Sequence, residues 1–219
     1  MKLYLRFSSN MSRAKIFLVF FLSSFYTGNS QNFTDLEIEK KEKEIELSYR
    51  WLIFKDQSKV REMKAEYFIN ANIPVIIDQF QNSQKLKNWQ ISEESNIKML
   101  GLKTWQTYLK FKLPWPFKSM DLITINKIVD KDDFLIIISE SSPTSHPVKD
   151  NVSRIQSLRS HWKLIPSGIA KTKIIYTSIS HDKPEFPRII ADPLIQDRLI
   201  KTLVLLKENA EDENTNSKD

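Results

Sequence analysis

From Val60 to Asn70 the apolar and polar positions alternate: Met63, Ala65, Tyr67 and Ile69 share one face, and Glu62, Lys64 and Glu66 the other. A period of two predicts a half-buried strand. The same period returns from Thr104 to Leu113, where Trp105, Thr107, Leu109 and Phe111 alternate with Tyr108, Lys110 and Lys112. Further strands are predicted over 122–128, 134–139, 152–165 and 170–180, with breaks at Pro114–Phe117, at the Ser142–Pro147 loop and at Pro166-Ser167-Gly168. Elsewhere the period is helical. Thr34-Asp35-Leu36-Glu37 has the spacing of a capping box and predicts a charged, solvated helix through Leu47. Ile73-Pro74 starts a second helix, with Pro near its first turn, that runs towards Asn88-Trp89. After Phe186-Pro187, apolar residues from Ile189 to Leu206 recur at spacings of three and four, which predicts a long amphipathic helix that Pro193 kinks or restarts. Residues 210–219 close the chain as a polar tail without apolar anchors and are expected to be disordered.

Helix, strand, helix, a run of antiparallel strands and a closing helix make an α+β chain. A curved sheet gripping a long helix leaves room between two apolar faces, a natural place for a greasy ligand.

Composition narrows the chemistry. The chain has 219 residues, no Cys and 3 Gly, so disulfides, thiolate zinc sites, Cys nucleophiles and glycine-rich phosphate cradles are all excluded. The three His, at 146, 161 and 181, have no metal-ligand spacing between them; no metal and no cofactor is expected. Residues 1–30 hold Lys2, Arg6, Arg13 and Lys15, no acid, an apolar run from Ile16 to Leu22, and small residues at Gly28 and Ser30. This is the pattern of a secretory signal peptide cut near Ser30, which predicts an exported, periplasmic protein; an uncut leader serving as a membrane anchor is the alternative. Met11 is a second possible start. Without the leader the net charge falls from +6 to +2, since four basic residues and no acids leave with it. Nucleic acid is therefore not an expected partner.

Four local patterns, in order along the chain, resemble the START domain, the lipid-transfer module of the helix-grip fold. They are Asn88-Trp89 after the inner helix, the Leu113–Asp121 stretch with its Pro114-Trp115-Pro116 turn, Ser153-Arg154 after a Pro-containing loop, and Thr172–Tyr176 leading to the 181–187 turn before the closing helix. The resemblance covers about Glu44 to Asn209 and implies, for 31–209, a curved antiparallel sheet wrapped round a long C-terminal helix. It further implies a cavity for a lipid or other hydrophobic ligand, with transient membrane contact during exchange. A monomer is expected. Two departures stand out. The family's Arg-Asp pair is Met120-Asp121 here, and a cavity arginine of sterol-binding members falls at Asn126, which puts a buried acid–base pair in doubt.

The cavity walls implied are Thr107, Leu109, Phe111, Thr124, Asn126, Ser157, Tyr176 and Phe186, with Ile195, Leu199 and Leu203 on the inner stripe of the closing helix. Each apolar one could equally fill a solid core. Arg154 and Arg159 could meet a lipid phosphate or pair with acids across the sheet. Trp115 and Phe117 could touch a membrane or plug one end of the sheet. Two other readings stay open. One is a helix-grip cyclase or hydrolase-like enzyme on an apolar substrate, with Asp121, Glu140 and His161 as its acid–base groups. The other is a ligand-free interaction module.

Overall fold

A computed structural model describes residues 30–115, 117–182 and 187–216. The leader through 29, and with it most of the proposed signal peptide, lies outside the described residues, as does Phe186. Among them are the strands β1 (Ser30–Phe33), β2 (Glu37–Glu42), β3 (Ile45–Phe54) and β4 (Lys59–Ile69), and the helices α1 (Ile73–Gln81) and α2 (Ser83–Trp89). Then follow β5 (Glu94–Gly101), β6 (Thr104–Phe111), β7 (Ser119–Asp130), β8 (Leu135–Ser141), β9 (Val152–Arg154), β10 (Leu158–Pro166) and β11 (Thr172–Ser180). The last element, α3, runs Arg188–Asn216. The strands form one sheet in the order β1-β3-β4-β11-β10-β8-β7-β6-β5, antiparallel throughout, with β2 added beside β3 and β9 parallel to β7.

The sheet curves round α3, which packs against β2, β3 and β4 and against both short helices. Alternation explains the core. In β10 and β11 every second residue is buried, so Trp162, Leu164, Ile174 and Tyr176 face inward. Phe80 of α1 and Trp89 of α2 meet them, with ring centroids 5.1 Å apart for Phe80–Trp162 and 4.4 Å for Trp162–Tyr176. Edge-to-face packing of such rings stabilises beyond the area they bury. The Trp89 indole also donates to the Gln79 carbonyl at 2.9 Å, so its polar edge is satisfied inside.

Several elements depart from the sequence reading. The charged helix expected from Thr34 to Leu47 is instead the β2–β3 hairpin. Lys43 and Glu44, at φ 45° and 65°, make its two-residue turn, and that left-handed geometry matches the twist of the strands it joins. Ile45 and Leu47 are fully buried at a spacing of two, so tertiary packing overrides the helical propensity of the Glu and Lys residues. The second helix is two: Asn82 ends α1, and its side chain accepts from the backbone N–H of Gln84 at 3.0 Å to cap α2. Strand β5 was not foreseen, because its residues are mostly exposed on both faces. The strand expected over 152–165 is interrupted between β9 and β10, where the Asp182 carboxylate accepts from the N–H groups of Gln156 and Ser157.

The tail also differs. Residues 210–216 continue α3 rather than fraying, with Ala210 and Asn214 buried. They are held by polar groups instead of an apolar stripe. Asn214 donates to the Asn70 carbonyl at 3.0 Å, Glu211 accepts from the Asn70 backbone at 2.8 Å, and Glu213 pairs with Lys85.

Candidate functional site

Where α3 leaves β2–β4, a gap remains over the rest of the sheet. It is a cavity of about 700 Å³. Its walls come from the inward phase of each strand: Trp105, Thr107, Leu109 and Phe111 on β6, and Met120, Leu122, Thr124 and Asn126 on β7. Beyond them stand Ser139 on β8, Leu158, Ser160 and Trp162 on β10, and Tyr176 and Ser178 on β11. Phe80 and Leu86 form one end, while Leu194, Ile195, Arg198, Leu199 and Thr202 of α3 form the roof.

Of the residues implied by the sequence, Thr107, Leu109, Phe111, Thr124, Asn126, Tyr176, Ile195 and Leu199 stand round this cavity. Leu203 does not; it is fully buried in the core behind the roof. Ser157 also stands outside the wall: it sits in the break before β10, where its carbonyl accepts from the Ser180 hydroxyl, and its neighbours Gln156 and Leu158 face the space instead. Phe117 lines the cavity, but Trp115 is 91 % exposed, so it plugs nothing.

A band of polar groups crosses this apolar interior. Asn126 lies opposite Ser139, Ser139 opposite Ser160, and Ser160 opposite Ser178, one residue per strand from β7 to β11. All four are buried. Asn126 is spent locally: its amide donates to the Thr107 hydroxyl at 2.9 Å and the Trp105 carbonyl at 3.3 Å, and it accepts from Thr124 at 3.2 Å. The hydroxyls of Ser139 and Ser160 have no hydrogen-bond partner among the described residues, and buried hydroxyls call for one. Burial pushes the Tyr176 phenol up to about 12, against a hydrogen bond from Ser178 that pulls the other way, so it stays a neutral donor in the wall. The three serines were not singled out from the sequence. Their signal was the phase they share with Ile137, Trp162 and Tyr176 on their own strands.

The acid–base pair placed in doubt by Met120 exists, but with another partner. Asp121 is fully buried and holds Arg154 of β9 through two bonds, 2.9 Å to Nε and 2.6 Å to Nη2. It belongs to the outward phase of β7, so its carboxylate lies on the far side of the strand from Thr124 and Asn126, while Arg154 of β9 also borders the cavity. Arg154 also donates to the carbonyls of Pro143, His146 and Pro147, so the guanidinium pins the 142–149 loop onto the outer face. Asp121 raises the Arg154 pKa above its ordinary value. Arg159 pairs with Glu140, both half exposed. His161 and Glu140 alternate with the wall residues Ser160, Trp162 and Ser139, and so they too face outward.

At the mouth, Arg61 of β4 pairs with Asp192 of α3 at 2.5 Å, and Arg188 reaches the same carboxylate at 3.6 Å. The two guanidinium groups stack on Tyr49 and Trp51 of β3, at 4.4 and 4.8 Å. Among the described residues no group of three or more His, Cys, Asp or Glu is placed to hold a metal ion.

No family model matches the chain. An uncharacterized Pseudomonas aeruginosa protein, PA1579, is 29% identical over 122 residues, which span 55% of this chain and 59% of that protein's length. Among solved structures, the STAR-related lipid transfer protein of Xanthomonas axonopodis superposes with a TM-score of 0.71 at 17% identity, covering 81% of this chain and 99% of its own. Human StAR-related lipid transfer protein 5 gives 0.66 at 10% identity, covering 90% and 94%. The Zhui aromatase/cyclase of a Streptomyces species gives 0.51 at 9% identity, covering 69% and 94%. At these identities the likeness establishes the fold. A curved antiparallel sheet closed by a long C-terminal helix, superposing on lipid-transfer structures over nearly their whole length, is the helix-grip fold that START domains share.

Proposed function

We propose that this protein binds and carries a lipid or other hydrophobic molecule in the cavity under α3. The observation that supports it most is the cavity itself: about 700 Å³, walled mainly by apolar side chains and crossed by one band of hydroxyls. That volume and lining match the general character of small-ligand sites. The signal-peptide pattern of residues 1–30 supports the reading that the chain acts as an exported carrier. The fold's occurrence in both lipid-transfer proteins and a cyclase leaves catalysis as the competing use. Placement of the ionisable groups favours the carrier. Asp121, Glu140 and His161 all face away from the cavity, and Asp192 at its mouth is taken by two arginines. An acid–base mechanism needs such groups within hydrogen-bond reach of the substrate.

Native mass spectrometry of the protein purified from its own envelope tests this. Retention of a lipid-sized apolar molecule, released on denaturation, is the expected result. A mass equal to the bare chain, together with no uptake of fluorescent fatty acids or phospholipids, would overturn it. The same spectrum gives the N-terminus, expected at Gln31 or a close neighbour.

A further inference from the structure

Most charged groups around the cavity are neutralised by their neighbours. Arg61 and Arg188 share Asp192, Arg154 has Asp121, and Asp182 is occupied by the backbone of Gln156 and Ser157. Arg198 is different. It projects from the roof helix between the wall residues Ile195 and Thr202, and its guanidinium carbon lies 4.5 Å from the centre of the Phe111 ring, itself part of the wall. No carboxylate among the described residues pairs with it. Its partners are two backbone carbonyls: Nη2 donates to Ile91, and Nη1 to Lys112 across a long 3.4 Å. Of the five N–H donors that a guanidinium carries, three are left over, and Nε is buried with no partner. Desolvation alone lowers the Arg198 pKa, with no acid opposing it. Lys118, also at the cavity wall, likewise has no acid partner among the described residues. Arg198 and Lys118 therefore give the cavity a cationic excess beside apolar walls.

We infer that Arg198 is the anchor for an anionic headgroup, so that the ligand class is a single-chain amphiphile ending in a carboxylate or phosphate rather than a neutral lipid or sterol. This rests on the carrier reading above and adds the charge of the cargo. The headgroup would sit against Arg198 beside Phe111, with its tail running over Leu109. The guanidinium fork suits both planar carboxylate and phosphate oxygens. Two backbone carbonyls orient it but leave its net charge intact, and partial desolvation strengthens its attraction for an anion.

The test measures binding of palmitate, hexadecyl phosphate and uncharged methyl palmitate to the full mature chain and to Arg198→Gln. The native chain is expected to prefer one or both anions over the ester by roughly tenfold or more, the scale of a charge-assisted hydrogen bond. Arg198→Gln should lose that preference, while Arg198→Lys should keep part of it. A cooperative thermal melt of Arg198→Gln, with the native circular-dichroism spectrum, is the check that the domain still folds. If Arg198→Gln does not fold, Arg198→Lys decides: a preference for the anions undiminished from the native chain overturns the anchor. Equal affinity of the native chain for anions and ester, or a preference that survives in Arg198→Gln, also overturns it. Failure to bind any of the three overturns the carrier reading itself. Inorganic phosphate should not displace palmitate; displacement would mean a free-anion site and overturn the amphiphile assignment.

Discussion

Asp121 and Arg154 sit opposite one another in the parallel pairing of β7 with β9, joined by two hydrogen bonds, and both side chains are almost wholly removed from solvent. The carboxylate sits behind the cavity wall, while Arg154 reaches the cavity's edge. Its role follows from the remaining donors, which hold three carbonyls of the 142–149 loop. Removing one partner strands a buried charge, so Asp121→Asn or Arg154→Met should lower stability by about 3–5 kcal/mol. Denaturant titration measures this. Asp121→Leu with Arg154→Met should recover part of the loss, since no lone charge remains, and the ligand ranking should not move in any of these variants.

Asn126 is expected to matter for folding more than for recognition. Its amide already serves Thr107, Thr124 and the Trp105 carbonyl, so Asn126→Leu strands three buried groups. A stability loss of about 1–3 kcal/mol is expected. By contrast, Ser160→Ala removes a hydroxyl that has no partner among the described residues, and should change stability little while altering preference among lipids that differ in hydroxyl or carbonyl content. Thermal melts beside a calorimetric lipid panel separate the two. A panel ranking changed by Asn126→Leu but not by Ser160→Ala would reverse the assignment.

Leu199 and Leu203 lie one turn apart on α3 yet belong to different environments. Leu203→Ala, in the solid core, should cost about 2–5 kcal/mol of stability and leave ligand preference alone. Leu199→Glu puts a carboxylate in the apolar roof and should abolish retention of a fluorescent fatty acid. Equal retention by Leu199→Glu and the native chain would remove α3 from the ligand's surroundings.

Stability should fall on acidification in two stages. Desolvation, helped by Arg159, lowers the His161 pKa from its ordinary 6.5. The unfolded chain then binds the proton more readily than the folded one, so stability is lost as pH drops below about 6.5 and levels off beneath the folded value. Glu66 is held down by hydrogen bonds from Lys64 and Lys173, so its contribution is present above the ordinary 4.5 and disappears as pH falls through its lowered value. Urea titrations across pH should show both stages, and His161→Gln should remove only the upper one.

The strand phases of β4, β6, β7 and β11 were legible because one face of each is apolar, and so most of the cavity wall could be named. Three features were not. The β2–β3 hairpin was masked by Glu and Lys residues whose helical preference is real but weaker than the burial of Ile45 and Leu47. The row from Asn126 to Ser178 depends on the register between strands, which a single strand's pattern does not contain. Arg198 reads as one more polar residue on an amphipathic helix until the fold brings Phe111, Ile91 and Lys112 beside it. Leu203 was misplaced for a related reason: spacing groups residues on a face but does not say where the cavity under that face ends.

The two halves of α3 are fastened by different forces. Beyond Ile200 the helix is bound by Leu203, Leu206, Ala210 and the Asn214–Asn70 bond, with the Lys85–Glu213 ion pair beside them. Before it, the hold is Arg61–Asp192, Arg188 on Trp51, and a helix that lacks a backbone donor at Pro193. Arg188, nearly half exposed, is the member of this hold that ionic strength reaches most, since Arg61 and Asp192 are largely shielded from solvent. The end of α3 beside the cavity mouth is thereby the part of the helix with the least apolar hold, and it should be the first to open when the protein is partly destabilised.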